Sequence, residues 1–337
     1  MKQSNPSTAP LIRLAHPLAF AAFLRKVGTP VDRLFSKAGL PVYYDDPGVF
    51  VPLRNSWAWF DAGARLEDPG LGWHVGQFVG DKRLSAGMLK RLEHAPTLYQ
   101  ALFALVRLVR SESSQLHIGI SEGHDSILVY TRYPMKDWPG YTSSQAYQLA
   151  VYIDLIRHYL GRSWMPEEIG IESPIAPRVI HEHYPDCRVL AGQQFGYISV
   201  PRSRLHSAPI GIYSKNVESS PLVRAGNFDN VDAARAVIQA YLADGYPSAR
   251  KTANLLDTSE RSLFRMLADR GVSYQTLVDE VRFDAAKKLL RDQELPQSEI
   301  ASCLGFTDPA NFSRMFRRIG GLSPREFRKA IQTSPRQ

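Results

Sequence analysis

Two cysteines in 337 residues, Cys187 and Cys303, are too few for a disulfide framework or a four-thiolate zinc site, and they fit a reducing compartment. Long apolar runs are missing as well. No stretch reaches the roughly 18 consecutive apolar residues that a membrane span needs, and the N-terminus has no apolar signal core, so no membrane partner is expected and the expected location is cytoplasmic. Common catalytic patterns are also lacking: there is no Walker phosphate loop, no Gly-x-Ser-x-Gly elbow, no His-Glu-x-x-His helix and no Cys-x-x-Cys. The chain therefore reads as a non-enzyme, with no catalytic residue, cofactor or metal assigned. His181, His183 and Cys187 are the nearest thing to a metal set. Two histidines at i and i+2 diverge on a helix, however, and no fourth ligand is evident.

What is present is an ordinary globular composition, 44% hydrophobic and 22% charged, in a chain long enough for two cores. Only the ends, Met1 to Pro10 and Thr333 to Gln337, read as polar, frayed tails. The formal net charge of +8 points to a polyanionic partner without identifying one. Its distribution is nearly even, since residues 228 to 332 carry 16 Lys and Arg against 14 Asp and Glu, and residues 1 to 227 carry 24 against 19. The informative feature is local. Arg314, Arg317, Arg318, Arg325, Arg328 and Lys329 fall within sixteen positions, opposed there only by Glu326.

The first two hundred residues mix helical and strand periodicities. Leu98, Ala101, Leu102, Leu105 and Leu108 recur at helical spacing within Thr97 to Arg110, and Leu116–Ile120 and Ser126–Tyr130 flank a Gly123 turn as a hairpin would. Between Tyr141 and Leu160, Ala146, Leu149, Ala150, Ile153 and Leu160 form one apolar stripe, which reads as a core face ahead of a dimer face. Strand-like Ile169–Glu172 and Gly196–Val200 surround a helix expected after Pro177. Trp57, Trp59, Phe60 and Trp73 read as core packing ahead of pocket walls, and no ligand-binding residue is assigned. An α+β sensor domain over 11–205 is the result, followed by a Pro- and Ser-rich linker over 206–227.

From 228 to 332 the pattern is all-α. Val231, Ala234, Ile238, Tyr241 and Leu242 mark one helix, Ala249–Leu256 a second, and Ser259–Asp269 a third, with Ser259 as N-cap and Gly271 as stop. Tyr274–Arg291 is the longest, with Tyr274, Leu277, Val278, Val281, Ala285 and Leu289 expected inside. Gln297–Leu304 and Pro309–Ile319 follow, the latter capped by Asp308, and a last helix starts at Ser323–Pro324.

Two helix-turn-helix units are legible here, because each needs a small residue on its first helix, a turn tolerant of positive φ and apolar anchors on its second. The first has Ala253 and Leu256, a turn at Asp257–Thr258, then Leu263 and Leu267. The second has Ile300, Ala301 and Leu304, a turn at Gly305, then Phe312 and Phe316. With those positions inside, Glu260, Arg261, Phe264 and Arg265 face outward from one helix, and Pro309, Ala310, Asn311, Ser313 and Arg314 from the other. All but Glu260 are the expected base readers, since Arg pairs with guanine and Asn with adenine, while Ser259, Arg317, Arg318 and Arg328 suit phosphates. Arg265 and Arg314 lie 49 residues apart in equivalent places. An eighteen-residue intervening helix spans about 27 Å, compatible with major-groove segments roughly 34 Å apart.

The run Ile300-Ala301-x-x-Leu304-Gly305-Phe306-Thr307-Asp308-x-x-x-Phe312-Ser313-Arg314-x-Phe316-Arg317-Arg318-x-x-Gly321-x-Ser323-Pro324-x-x-Phe327-Arg328 closely resembles the signature of AraC/XylS-family regulators. The likeness extends upstream through Ala253, Leu256, Ser259, Leu263, Arg265 and the Val278-Asp279-Glu280-Val281-Arg282 segment, with mild departures at Asp257 and Thr307. It implies an all-α C-terminal domain with two helix-turn-helix subdomains joined by a linker helix, binding double-stranded promoter DNA. Leu34, Ala38-Gly39-Leu40, Val51-Pro52-Leu53, Asp68-Pro69-Gly70-Leu71-Gly72 and Pro96-Thr97-Leu98 more weakly resemble the arabinose-binding-type sensor domain of one branch of that family. That implies a small-molecule effector of metabolite, amino-acid or lipid type, without implying arabinose.

The expected function is thus a sequence-specific transcription regulator, read as an activator, that responds to an effector and becomes nucleoid-associated when bound to DNA. RNA polymerase and a second copy of the chain are further expected partners. The alternative is a constitutive DNA-binding regulator whose N-terminal domain only dimerises or binds a protein.

Overall fold

The computed structural model describes residues 9–42, 46–79, 94–173, 178–210, 229–291 and 295–333, together with Leu84, Met88, Arg91 and Leu92. Most of the two tails and residues 211–227 of the linker lie outside the described residues. Two compact units are present: Pro10–Leu40 with Leu53–Asn227, and Met1–Ala9 with Pro41–Pro52 and Phe228–Gln337.

Helices α1 (Ala15–Lys26), α2 (Val31–Lys37), α3 (Leu53–Leu66), α4 (Leu71–Val79), α5 (Leu98–Leu108), α6 (Tyr141–Leu160) and α7 (Arg178–His183) come first. Short strand β1 (Leu11–Arg13) precedes a five-stranded sheet of β3 (His117–Glu122), β4 (Ser126–Arg132), β5 (Glu168–Gly170), β6 (Arg188–Leu190) and β7 (Gly196–Pro201), while β2 (Phe50–Pro52) falls within the other compact unit. The sheet order is β3-β4-β7-β5-β6, and the contacts are antiparallel except for the parallel pair β5–β6. The α+β class, the 117–132 hairpin and the long α6 match the sequence pattern. Thr97 caps α5 by accepting from Gln100 N (3.3 Å).

The centre of this unit is α6, and here the single-stripe expectation is corrected. Sixteen of its twenty residues are buried, because α3, α4 and strands β4 and β7 all pack on it. A helix enclosed on several sides has no solvated face to leave polar. Buried Gln148 is satisfied by the protein: its Oε1 accepts from Thr131 Oγ1 (2.7 Å), and its Nε2 donates to Tyr133 OH (3.1 Å) and Ser144 Oγ (3.2 Å). Close approach to α4 depends on two glycines one turn apart. A Cβ on Gly72 would lie 2.1 Å from the Ser143 carbonyl oxygen, and one on Gly76 2.5 Å from Ala150 Cβ. Trp57, Trp59, Phe60 and Trp73 are all buried, with Phe20 stacked on Phe60 at 3.8 Å and Trp57 edge-on to Tyr133 at 4.8 Å.

The second unit carries α8 (Asn230–Ala240), α9 (Ala249–Leu255), α10 (Glu260–Ala268), α11 (Tyr274–Leu289), α12 (Gln297–Cys303), α13 (Pro309–Gly320) and α14 (Pro324–Thr333). The inward face of α11 differs from its apolar pattern. Leu277, Val278 and Val281 are buried as expected, but so are Ala286, Asp279 and Arg282, while Tyr274, Ala285 and Leu289 are only half-buried. The face is rotated because neighbouring elements provide partners for the two charged residues, which apolar periodicity cannot register.

Replacing Gly72 by Ala is expected to destabilise the full chain by about 1–3 kcal/mol, the usual cost of overpacking. Urea denaturation followed by circular dichroism checks this through a lowered midpoint at unchanged slope.

Candidate nucleic-acid interface

The first helix-turn-helix pairs α9 with α10. Ser248 Oγ accepts from Lys251 N (3.2 Å) to start α9, and buried Thr252 shares a hydrogen bond with Tyr274 OH (2.7 Å), which itself donates to the Pro247 carbonyl. At the turn, Asp257 has φ 54°, the only positive φ outside glycine among the described residues. Asp is one of the few residues that tolerate this region, which explains its place here. Thr258 N then closes the turn on the Ala253 carbonyl (3.0 Å). Ser259 caps α10 by accepting from Ser262 N (3.1 Å), and its own hydroxyl donates to Ser262 Oγ (2.9 Å). Leu263 and Leu267 are buried beneath, leaving Glu260, Arg261, Phe264 and Arg265 exposed on the opposite face.

The second unit repeats the device with one more residue in its turn. Ile300, Ala301 and Leu304 are buried, Gly305 takes φ 72°, and Phe306 N closes on the Ala301 carbonyl (2.9 Å), as Thr258 does on Ala253. Asp308 caps α13 by accepting from Ala310 N (2.8 Å), with Pro309 at the start of the helix, where its missing N–H costs nothing. Phe312, Met315 and Phe316 are buried, while Pro309, Ala310, Asn311 and Arg314 are exposed. Arg314 Nη2 donates to Asn311 Oδ1, so the two side chains stand together on the outer face. Ser313 is half-buried, and its hydroxyl donates back to the Pro309 carbonyl (3.0 Å). Arg265 and Arg314 each follow their own N-cap by six positions.

The basic cluster divides by role. Arg317, Arg325 and Lys329 are exposed, but Arg318 Nη2 lies 2.5 Å from the buried Asp279 carboxylate, and Arg328 Nη2 donates to the Leu295 carbonyl (2.7 Å). Glu326 and Ser323 form a reciprocal cap: Glu326 Oε2 accepts from Ser323 N (2.7 Å), and Ser323 Oγ accepts from Glu326 N. The backbone hydrogen bond from Ser323 holds the Glu326 carboxyl below its usual pKa.

One residue that organises the site is named in the sequence only as part of the family-like segment and has no site role there. Arg282 is 5% exposed, with its guanidinium 4.0 Å from the Tyr246 ring centroid and 4.3 Å from that of Phe306, while Nη2 donates to the Gly305 carbonyl (3.1 Å). Burial lowers its pKa from the ordinary arginine value, yet a guanidinium stays charged at any physiological pH. Its neighbours on α11 pair with other helices, Asp279 with Arg318 of α13 and Glu280 with Arg235 of α8 (2.5 Å). The available signal was a charged pair embedded in the apolar Leu277–Val281 run.

Two capped, outward-facing helices joined through a linker helix define a double helix-turn-helix DNA-binding domain. Residues 252–330 match the family described as a helix-turn-helix domain, and residues 28–208, over half of the chain, match the arabinose-binding domain of the AraC transcription regulator. The chain belongs to the AraC family of transcription regulators. It is 26% identical to the ornithine utilization regulator of Pseudomonas aeruginosa, over 98% of this chain and 100% of that one. It is 39% identical to the regulator VqsM of the same organism, over 27% of this chain and 28% of that one, so this match spans little more than a quarter of VqsM. Among solved structures, the transcriptional regulator CdpR from Pseudomonas aeruginosa aligns over 94% of this chain and 98% of its own, at 21% identity and a TM-score of 0.40. These families and relatives are regulators, not enzymes. Among the described residues, no helix is long and apolar enough to cross a membrane.

Replacing Arg282 by Ala would leave the Gly305 carbonyl without its charged donor and two rings without their cation, at an expected cost of about 2–4 kcal/mol. Arg282→Lys should recover less than half of that, since an ammonium cannot stack as a plane. Chemical denaturation of both variants checks the order.

Proposed function

We propose that the chain is a cytoplasmic, effector-controlled transcription activator that reads promoter DNA with α10 and α13. Base edges are met by Arg261, Phe264 and Arg265 on the first helix and by Pro309, Ala310, Asn311, Ser313 and Arg314 on the second. Phosphates are met by Ser259, Arg317, Arg318 and Arg328. The observation that carries this reading is the equivalent exposure of Arg265 and Arg314, each six positions beyond a capped helix start on a face opposite buried anchors. Arg317 is the cleanest phosphate candidate, because Arg318 and Arg328 also tie the fold together through Asp279 and Leu295.

Residues 11–205 form the sensing and dimerising domain, 206–227 the linker and 228–332 the DNA-binding domain in this proposal. An effector can act only by binding two states of the protein with different affinity. Such a ligand changes dimerisation or polymerase recruitment at the promoter. A full-length relative named for ornithine utilization makes amino acids one class worth trying.

Gel-shift titrations of the full chain at several salt concentrations test the DNA reading. Arg314→Ala is expected to cost about 1–3 kcal/mol on the specific site and relax preference at one base position, and Arg317→Ala to weaken all sequences alike and reduce the salt slope by about one. Equal loss on specific and random DNA for Arg314→Ala would overturn its role as a base reader. Effector control is tested by melting the protein with a panel of amino acids, sugars, and fatty acids with their esters. A ligand of the folded state raises the melting temperature, and silence across the panel favours a constitutive regulator.

A further inference from the structure

The outer face of α13 offers few polar groups, and several are used within the helix itself. Asp308 caps the helix start by accepting from Ala310 N (2.8 Å), so Asn311 is not needed there. Ser313 turns its hydroxyl back to the Pro309 carbonyl (3.0 Å). What remains is Asn311 with Arg314, both exposed, and Arg314 Nη2 donates to Asn311 Oδ1. Residues at i and i+3 lie side by side on a helix, so this bond asks for no distortion. The pair is missing from α10. Ser262 stands where Asn311 stands, three positions beyond the cap and three before the arginine. Its Oγ accepts from Ser259 (2.9 Å), and it makes no hydrogen bond to Arg265 among the described residues.

The chemistry of the partner decides what the bond can do. Arg318 is held by the Asp279 carboxylate, which offsets its charge inside the protein. An amide oxygen accepts from a guanidinium without adding an opposing charge, so the attraction of Arg314 for an anionic duplex is kept while its direction is fixed. The remaining N–H groups of the guanidinium are enough for the paired contact with O6 and N7 of a guanine. Fixing a long side chain in advance also removes part of the ordering cost that binding otherwise carries. We propose that Asn311 is a positioning residue for Arg314: its amide oxygen aims the guanidinium at one guanine edge, and its share in sequence preference is exerted through Arg314. The assignment rests on the base-reading role of α13 above and specifies how Asn311 acts within it, a device the first unit does not share.

A duplex selected by the wild-type full chain from a random library serves as the probe, beside its single-base variants and unselected DNA, in gel-shift titrations. The readout is discrimination, the ratio of affinities for the preferred and the substituted base. Arg314→Ala identifies the base position that Arg314 reads. There, Asn311→Ala is expected to lower discrimination about three- to tenfold in the wild-type background and to change nothing further beside Arg314→Ala, the mark of a coupled pair. Asn311→Asp keeps the oxygen acceptor and loses the Nδ2 donor. It should keep most of the discrimination while weakening binding to all DNA through its added negative charge. Ser262→Ala and Arg265→Ala are expected to be additive at their own position. Asn311 and Arg314 are exposed, so the melting temperatures of their variants should match wild type, which separates loss of reading from loss of fold. The proposal is overturned if the Asn311→Ala and Arg314→Ala losses add, if Asn311→Ala relaxes a base position that Arg314→Ala leaves intact, or if Asn311→Asp loses as much discrimination as Asn311→Ala. Coupling of equal size between Ser262 and Arg265 would trace the effect to helix neighbours in general and overturn it too. If Arg314→Ala instead weakens selected and unselected DNA equally, or no duplex is selected, base reading by α13 itself falls and the positioning role goes with it.

Discussion

Arg282 lies between the rings of Tyr246 and Phe306 and donates to the carbonyl of Gly305, and the turn that leads into α13 is built on that arrangement. Withdrawing a guanidinium from water is unfavourable unless its charge is met, and here two aromatic faces meet the charge and the turn carbonyl takes one N–H, while Nε has no hydrogen-bond partner among the described residues. The turn cannot shift without exposing the carbonyl or unstacking a ring. One turn of α11 thereby positions several elements: Asp279 holds α13 through Arg318, Glu280 holds α8 through Arg235, and Arg282 holds the turn between α12 and α13.

The two helix-turn-helix units solve one geometric problem in different ways. Both close the turn by a backbone hydrogen bond to a buried alanine, Ala253 or Ala301. The left-handed position is Asp257 in one and Gly305 in the other. The residue after it is Thr258 in the first unit and Phe306 in the second, and only the second supplies a ring to Arg282. The second unit is thus tied to the linker helix by a buried cation, whereas the first is tied by the Thr252–Tyr274–Pro247 hydrogen bonds. Equivalent outer faces rest on non-equivalent supports, so substitutions beneath them will not be interchangeable.

In the α+β unit the organising element is α6, a helix buried on several sides yet rich in Ser, Gln and Tyr. A low-dielectric interior makes unmet polar groups expensive, and many of these are met by residues of neighbouring segments, Thr131, Tyr133, Glu172 and the Leu92 carbonyl among them. Gly72 and Gly76 pack closely along one side of α6, and Tyr152 and Gln148 line a small cavity beside it. A dense helix pair and a neighbouring void are compatible because the glycines bring backbones together only along their own line of contact.

Short-range rules were enough to read much of this molecule from sequence. Caps at Ser259 and Asp308, the left-handed turns at Asp257 and Gly305 and the apolar anchors Leu263, Phe312 and Phe316 all depend on neighbours within a few positions, so their signals survive in a linear string. The alternation that marks the 117–132 hairpin is equally local. What required tertiary structure was everything set by partners far away in the chain: the rotated face of α11, the burial of α6 on several sides, the sharing of Arg318 and Arg328 with the fold and the clamp that joins Arg282 to Tyr246 and Phe306. Periodicity records which side of a helix is apolar. It carries no record of a charge whose counter-charge, or whose aromatic bed, is brought beside it only when the chain folds.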